Sequence, residues 1–526
     1  MKVYLENPRL LLALLLIGFS LPSTAQRHVY ELFRNSYRVI ESQRLPNGMY
    51  RDSRVVRPGW TDFHPISVAN VGVGLVSLSI AHRAGFESDA ESQVIQTLQT
   101  ILGETPGFTP DRNASGYYRH FIDIETGANA WDSEYSTIDA AILVSGALFA
   151  KEYFHWNRTI AQYADRLFNS IDWSRSIYDA STGEIYLEMG ADGFGQGGVT
   201  RPFNEYLIVA HMAKLADRGG DGIGTQVWNT WINLDEFATA DYGRYSLLTD
   251  SPTGDYFLSD FTIQFPYYYV NWATCNRTYR GYMRNAMRAD RLYYDSISAS
   301  FPALQPNEWG LGAGSNDGGY HADAINNHPQ SIVSPHIVAG FLPINRRSLR
   351  DLRTMLTQDK GNYTLPDGTP FIWRYSLENP DWRANDVQGI DYSTMLYGLS
   401  HIFLGRNFFR TYNNFSTPEP GTTSADDVSS ARTTTPSNLV QFDDMQIYPN
   451  PAQQTVTSKF TRETPGSFKI EIVDMVGRTL LTNSEANQSA GSHTWTEDVT
   501  SLPTGQYIVK YSIGEKIISK RLSKSN

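Results

Sequence analysis

The chain has 526 residues, of which 41% are apolar, 19% charged and 13% aromatic, with a formal net charge of −11. That length exceeds one ordinary core, and such an aromatic content excludes a disordered chain. The negative charge repels polyanions and argues against nucleic acid as a partner, whereas a neutral glycan meets no such barrier. The excess of Tyr and Trp fits apolar pyranose faces packing on rings, and fits a large core equally well. One cysteine, Cys275, precludes an intrachain disulfide, and no CxxC or zinc-spaced Cys/His set occurs. No cofactor and no metal is expected.

Residues 1–25 read as an export signal. Lys2 and Arg9 flank its start, LLALLLIGFS is its apolar core, and Ser23 to Ala25 supply small residues before Gln26. The apolar run is short for a bilayer, and no later run of about 20 apolar residues follows, so no transmembrane helix is expected after signal removal. Residues 26–415 are dominated by helical spacing. The runs cover 66–86, 90–102, 136–154, 159–171, 203–217, 277–294, 331–342, 348–358 and 392–404. Several, such as AAILVSGALFA, are apolar all round and belong inside a layered helical structure. Buried and amphipathic helices alternate, which predicts a mainly α domain built as a two-ring helical barrel. Residues 416–440 are rich in Ser, Thr and Pro and read as a linker. From 441 to 526 the period becomes two, with Gly, Asn and Pro turns, which predicts a small β-sandwich.

HExxH, GxSxG and P-loop motifs are absent. His321 and Asp323 could offer two metal ligands but no third is apparent, so ordinary hydrogen bonding is expected. The glycine-rich 190–198 reads as a flexible loop, and Cys275 as a buried or inert thiol. What remains is a set of carboxylates at helix starts. Asp132, Glu134 and Asp139 border the helix from Ser136, Glu205 sits in the first turn of the next long apolar helix, and Asp391 precedes another. Glycoside hydrolysis needs two carboxyl groups, one to protonate the leaving oxygen and one as base or nucleophile. Each position also has a purely structural reading: Ser136–Asp139 as a capping box, Glu205 at a positive helix end, Asp391 as an N-cap.

Two resemblances change that balance. IYPNPAQQTV, IVDMVGRTLL, LPTGQYIVKY and the basic KIISKRLSKSN resemble the C-terminal sorting domain of type IX secretion, which implies export across the outer membrane by that machinery. The blocks YYRHFIDIETGANAWDSEYSTID, PFNEYLIVAHMAKLAD, NEWGLGAGSNDGGY and QGIDYSTMLYGL, in this order, resemble the bacterial glucoamylase-like domain found in endo-β-1,2-glucanases of glycoside hydrolase family 144. That resemblance implies an (α/α)6 barrel and inverting hydrolysis of a glucan, with β-1,2-glucan the favoured substrate. Carried onto matching positions, it implies Glu134, Glu205 and Asp391 as cleft carboxylates, with Asp139 in the same block. Glu205 or Glu134 is then the acid and Asp391 lies on the water-activating side. Trp131, Trp309 and Tyr267 are candidate stacking residues, and Asn204 and Asp317 complete the substrate-binding expectation. The chain departs from the family at IQFPYYY, where a His-Gln-Tyr is common. The competing readings are another helical-barrel carbohydrate enzyme, exo-acting or transglycosylating, and a non-catalytic surface glycan-binding protein.

Overall fold

The structure, a computed structural model, describes residues 24–419 and 446–525, apart from 451, 463–465, 475–478, 489–490 and 514–515. The expected export signal, except Thr24 and Ala25, and most of the expected linker lie outside the described residues.

Fourteen α-helices follow one another along the first part. They are α1 (Thr24–Glu41), α2 (Val68–Ala84), α3 (Ala90–Ile101), α4 (Thr137–Tyr153), α5 (Arg158–Asn169), α6 (Leu207–Ala216) and α7 (Ile223–Trp231). Then come α8 (Phe261–Tyr269), α9 (Asn271–Cys275), α10 (Arg277–Ile297), α11 (Pro335–Gly340), α12 (Ser348–Thr357), α13 (Gly389–Phe403) and α14 (Phe408–Tyr412). Helices α2, α4, α6, α8, α11 and α13 pack in succession, and α13 returns to α2, closing an inner ring. Around it α3 packs on α2, α5 on α4, α7 on α6, α12 on α11 and α1 on α13. The molecule is helix-rich with the arrangement of an α/α barrel.

The two kinds of helix follow from composition. The inner α2 and α4 are buried almost throughout, because each faces neighbours on all sides. Their close approach rests on glycine: a methyl group added to Gly72 or Gly146 would fall on the backbone of the facing helix. The outer α5 buries only Ile160, Ala164, Asp165, Leu167 and Phe168, the one-sided spacing of a surface helix.

Because an antiparallel outer helix returns the chain between inner ones, the inner N-termini share one end. There Ser67 caps α2 by accepting from the Asn70 backbone at 3.4 Å, and Ser136 caps α4 by accepting from the Asp139 backbone at 3.2 Å. The loops at this end carry short antiparallel strand pairs. Ile66–Ser67 pairs with Phe121–Ile122, Tyr135–Ser136 with Glu184–Met189, and Ala313–Asn316 with Gly319–Ala322. The stretch read as a flexible glycine-rich loop is a turn followed by strand Gly195–Thr200, held by its ladder to Glu184–Met189.

The C-terminal residues form two small open sheets, one three-stranded and one four-stranded, that share an apolar cluster including Val456, Ile472, Trp495 and Val509. No described helix is long and apolar enough to cross a membrane.

Candidate active site

The carboxylates singled out in the sequence gather at the end where the inner helices begin. Glu134 immediately precedes the Tyr135–Ser136 strand that leads into α4, and Asp139 is the third residue of α4. The capping box is only half made. The Ser136 hydroxyl caps the helix, but its backbone N–H donates to Tyr118 O at 3.0 Å, not to Asp139. The Asp139 carboxylate instead accepts from the Ser136 hydroxyl and faces His120. Asp391 is likewise not an N-cap: α13 begins at Gly389 after the cap Gln388, which makes Asp391 its third residue, in the first turn. Glu205 lies two residues ahead of α6, in the turn that opens it.

His120 ties the first pair together. Its Nδ1 is 3.0 Å from Glu134 Oε1 and its Nε2 is 3.6 Å from Asp139 Oδ1. Burial alone would lower its pKa, but Asp139 and Glu134 outweigh that and raise it to about 9. The ligand-type atoms of His120, Glu134 and Asp139 lie within 4.8 Å of one another, a spacing compatible with a metal ion. His120 raised in this way is favoured as an imidazolium, which has no lone pair to offer a metal and faces the Glu134 and Asp139 carboxyls.

Glu205 and Asp391 have the opposite environment. Burial, then the nearby charges of Asp250 and Asp139, push Glu205 up to about 7. Burial pushes Asp391 up to about 7 as well, against the lowering influence of Arg374 and Tyr320. Asp391 is 2% exposed, and its Oδ2 has no hydrogen-bond partner among the described residues. Arg374 is itself ion-paired with Asp323, and His321 Nδ1 lies 2.8 Å from Asp323 Oδ1. His321 and Asp323 therefore form ordinary internal pairs. The groups are electrostatically continuous: Glu205 feels Asp139, Asp139 feels Asp52, and Asp52 acts on Asp391.

Four participants have no signal in the sequence pattern. Tyr320, on the Gly319–Ala322 strand, is 52% exposed, yet its hydroxyl donates to Asp391 Oδ1 at 3.2 Å. An open ring above a buried carboxyl is where a sugar could stack. Asp52 borders His64, a buried imidazole whose Nε2 is 3.0 Å from Asp386 and whose Nδ1 is 3.4 Å from Asp52. Burial opposes the charge of His64, but Asp386 and Asp52 raise it to about 9. Glu188 is raised by burial and by Glu134.

The substrate-binding expectations divide. Trp131 stands edge-on to His64 and Phe121, with ring centroids at 5.6 and 5.0 Å. Trp131 and Asp132 both have left-handed backbone, φ 57° and 52°, a strain of about 1–3 kcal/mol each that concentrates at functional sites. Asp317 is exposed at the hairpin turn that presents Tyr320. Trp309 is corrected: it is 1% exposed, and its Nε1 donates to Asp351 Oδ2 at 3.1 Å, so its ring belongs to the core. Tyr267 is corrected too: it is buried near the end of α8 and borders a separate cavity at the far end of the barrel. Asn204 is committed internally, donating to Thr200 Oγ1 at 2.5 Å and Asp250 Oδ2 at 3.0 Å and accepting from Tyr206 N at 3.0 Å. It fixes the turn that carries Glu205 and has no amide hydrogen left for a substrate. Cys275 is exposed, not buried.

Comparison with known proteins agrees with this arrangement. Residues 200–403 match the family profile described as "Putative glucoamylase", and residues 446–525 match the secretion system C-terminal sorting domain. The latter places the chain on the type IX route to the cell surface or beyond. Among solved structures, the endo-β-1,2-glucanase from Chitinophaga pinensis is 16% identical with a TM-score of 0.61, over 75% of this chain and 96% of that one. A glucoamylase-type protein from Bacteroides fragilis is 17% identical with a TM-score of 0.63, over 76% and 96%. The β-1,2-glucanase from Parabacteroides distasonis is 16% identical with a TM-score of 0.61, over 75% of this chain and 59% of that one. At these identities the likeness establishes the fold. No curated protein matches.

Proposed function

We propose that this chain, which carries a glucoamylase-like domain and a secretion sorting domain, is a secreted glycoside hydrolase that cleaves a glucan with inversion, β-1,2-glucan being the favoured substrate. In this reading residues 26–415 are an (α/α)6 catalytic domain, 416–440 a linker and 441–526 a sorting sandwich, behind an export signal at 1–25. The observation that carries it is the pair of carboxyls at inner-helix starts, half-buried Glu205 and buried Asp391, both raised to about 7. A group with that value is protonated often enough to donate and ionised often enough to accept at neutral pH.

Glu205 is assigned as the general acid. Glu134 is already engaged by His120 Nδ1 at 3.0 Å, so Glu205 is the carboxyl left to face the leaving oxygen. Asp391 is assigned to the water-activating side, because it can take up a proton near neutral pH and its Oδ2 has no protein partner among the described residues. Tyr320 donates to the other oxygen and so orients the carboxylate. Glu134 and Asp139, held by His120, serve to bind and orient sugar hydroxyls, with Trp131 and Asp317 at the margin. An inverting pair stands about 6.5–9.5 Å apart, leaving room for the water.

Incubation with linkage-defined glucans, following product length and the anomer first released, tests this reading. Inverting cleavage of β-1,2-glucan releases the α-anomer first. Release of the β-anomer, or activity confined to α-glucans, would overturn the mechanism or the substrate respectively. Binding without product over long incubation would favour the glycan-binding alternative.

A further inference from the structure

A second cavity, of about 400 Å3, opens at the end of the barrel away from the carboxylates, where the inner helices finish. Its wall takes Tyr267 from α8, Cys275 from α9, Arg280 from α10, Arg346 from the segment after α11, His401 from the end of α13, and Arg406 and Arg410 from the turn into α14. Four arginines therefore converge on one hollow, and no Asp or Glu lines it. This runs against the average of a chain with net charge −11.

The guanidinium groups lack a carboxylate partner among the described residues; Arg280 is half-buried and Arg346, Arg406 and Arg410 are exposed. Arg280 Nε donates to the Asn276 carbonyl at 3.4 Å, and none of the four makes an ion pair among the described residues. The carbonyl ends of α11 and α13 favour a cation nearby. That accounts for an arginine at each helix end but not for four sharing a cavity without a carboxylate, where they repel one another. His401 is driven down to about 4 by burial and by Arg346 and Arg406, so its imidazole is neutral and adds a hydrogen-bonding group rather than a fifth charge.

We propose that this cavity binds a phosphate group carried on a sugar- or headgroup-sized molecule. Guanidinium forks match the oxygens of phosphate in paired hydrogen bonds, and several arginines supply the charge that a multiply charged oxyanion needs. The volume exceeds that of free phosphate and falls in the range of small-molecule sites.

Cys275 makes the test direct. It is the sole cysteine, it is exposed, and it lies on the cavity wall, so its alkylation by iodoacetamide reports occupancy in the full-length chain. With ionic strength held by chloride, inorganic phosphate and glucose 6-phosphate should slow alkylation saturably, the latter with Kd about 1 mM or tighter. Glucose should have no effect. An Arg346→Ala/Arg406→Ala variant should lose protection at least tenfold in affinity, with glucan hydrolysis unchanged. Co-sedimentation of the wild type, but not the variant, with phosphatidylglycerol over phosphatidylcholine vesicles would assign the phosphate to a lipid headgroup. Unsaturable protection, or protection equal in the variant, overturns the site. So does a thermal midpoint of the wild type that phosphate does not raise above the chloride control, a measurement independent of how the variant folds.

Discussion

Replacing Asp391 by Asn should abolish turnover and yet make the fold relatively more stable as pH rises. The Asp391 carboxyl moves from an ordinary 3.8 to about 7 in the folded chain, chiefly by burial. A raised folded value means that the native state holds the proton more tightly than the unfolded chain. The contribution is therefore fully present below about pH 4 and lost progressively as pH climbs through about 7. Each unit corresponds to about 1.36 kcal/mol, so the wild type loses about 1.6 kcal/mol by pH 5 and about 4 kcal/mol by pH 8. Asn carries no such loss. Its own deficit, an amide N–H donor where Oδ2 has no partner, is worth about 1–3 kcal/mol but does not vary with pH. The difference between variant and wild type should therefore shift by roughly 2–3 kcal/mol in favour of the variant from pH 5 to pH 8, whatever its sign at either pH. With about 2.1 cal/mol/K per residue over roughly 390 barrel residues, that is a relative shift of about 3 °C in midpoint. Denaturant titrations of both proteins at the two pH values, followed by tryptophan fluorescence, measure it. Parallel stability–pH curves would refute the elevated carboxyl, and with it the reason for assigning Asp391 to proton transfer.

Glu205→Gln should lower kcat by about 10²–10⁴-fold with the fold intact, and an aryl glycoside whose leaving group needs no protonation should recover most of the loss. Tyr320→Phe keeps the open ring but removes a hydroxyl that lowers the Asp391 value, so the acid limb of the kcat/KM profile should move to higher pH; Tyr320→Ala should chiefly raise KM. His120→Gln should weaken substrate binding and raise Asp139, which loses the cation that lowers it, read as an upward shift of the acid limb. Gly146→Ala should destabilise the barrel by about 1–3 kcal/mol, seen in denaturant midpoints, because its methyl meets the Gly72 backbone.

Five of the six inner helices were legible because their runs are apolar and continuous, and each of Glu134, Glu205 and Asp391 could be found because it stands at the start of one. Helices α1, α7 and α8 were not. The first follows closely on the apolar run at 11–20 and blurs into it in a sliding window. The second is nine residues with Gly224, and the third is aromatic and β-branched with Pro266 inside it, so local preference opposes the helix that tertiary packing imposes. Trp309 and Tyr267 show the limit for side chains: both adjoin loop-like, aromatic stretches, and nothing in one sequence says whether such a ring faces a cleft or a core. Tyr320 illustrates the converse. Its partner Asp391 lies 71 residues away, and only the two-residue turn at Asp317 and Gly318 brings the ring back over it.

The cleft sorts its acids by whether a cation accompanies them into the interior. Asp386 is fully buried, yet His64 holds its carboxyl below the ordinary range, outweighing the burial that would raise it. His120 plays the matching part for Glu134 and Asp139, although burial still leaves Asp139 raised. Glu205 has no cation among its influences, and the one that reaches Asp391, Arg374, is already neutralised by Asp323. Of these acids, the two left without a counter-charge of their own, Glu205 and Asp391, are the two that rise to about 7. A carboxyl buried without a counter-charge is a burden on folding, and under the proposed reading it is the one raised acid of the pair that needs such a site. Supplying imidazolium to some acids and withholding it from others would, in the proposed hydrolase, divide one crowded site into charges that hold a substrate and protons that act on it.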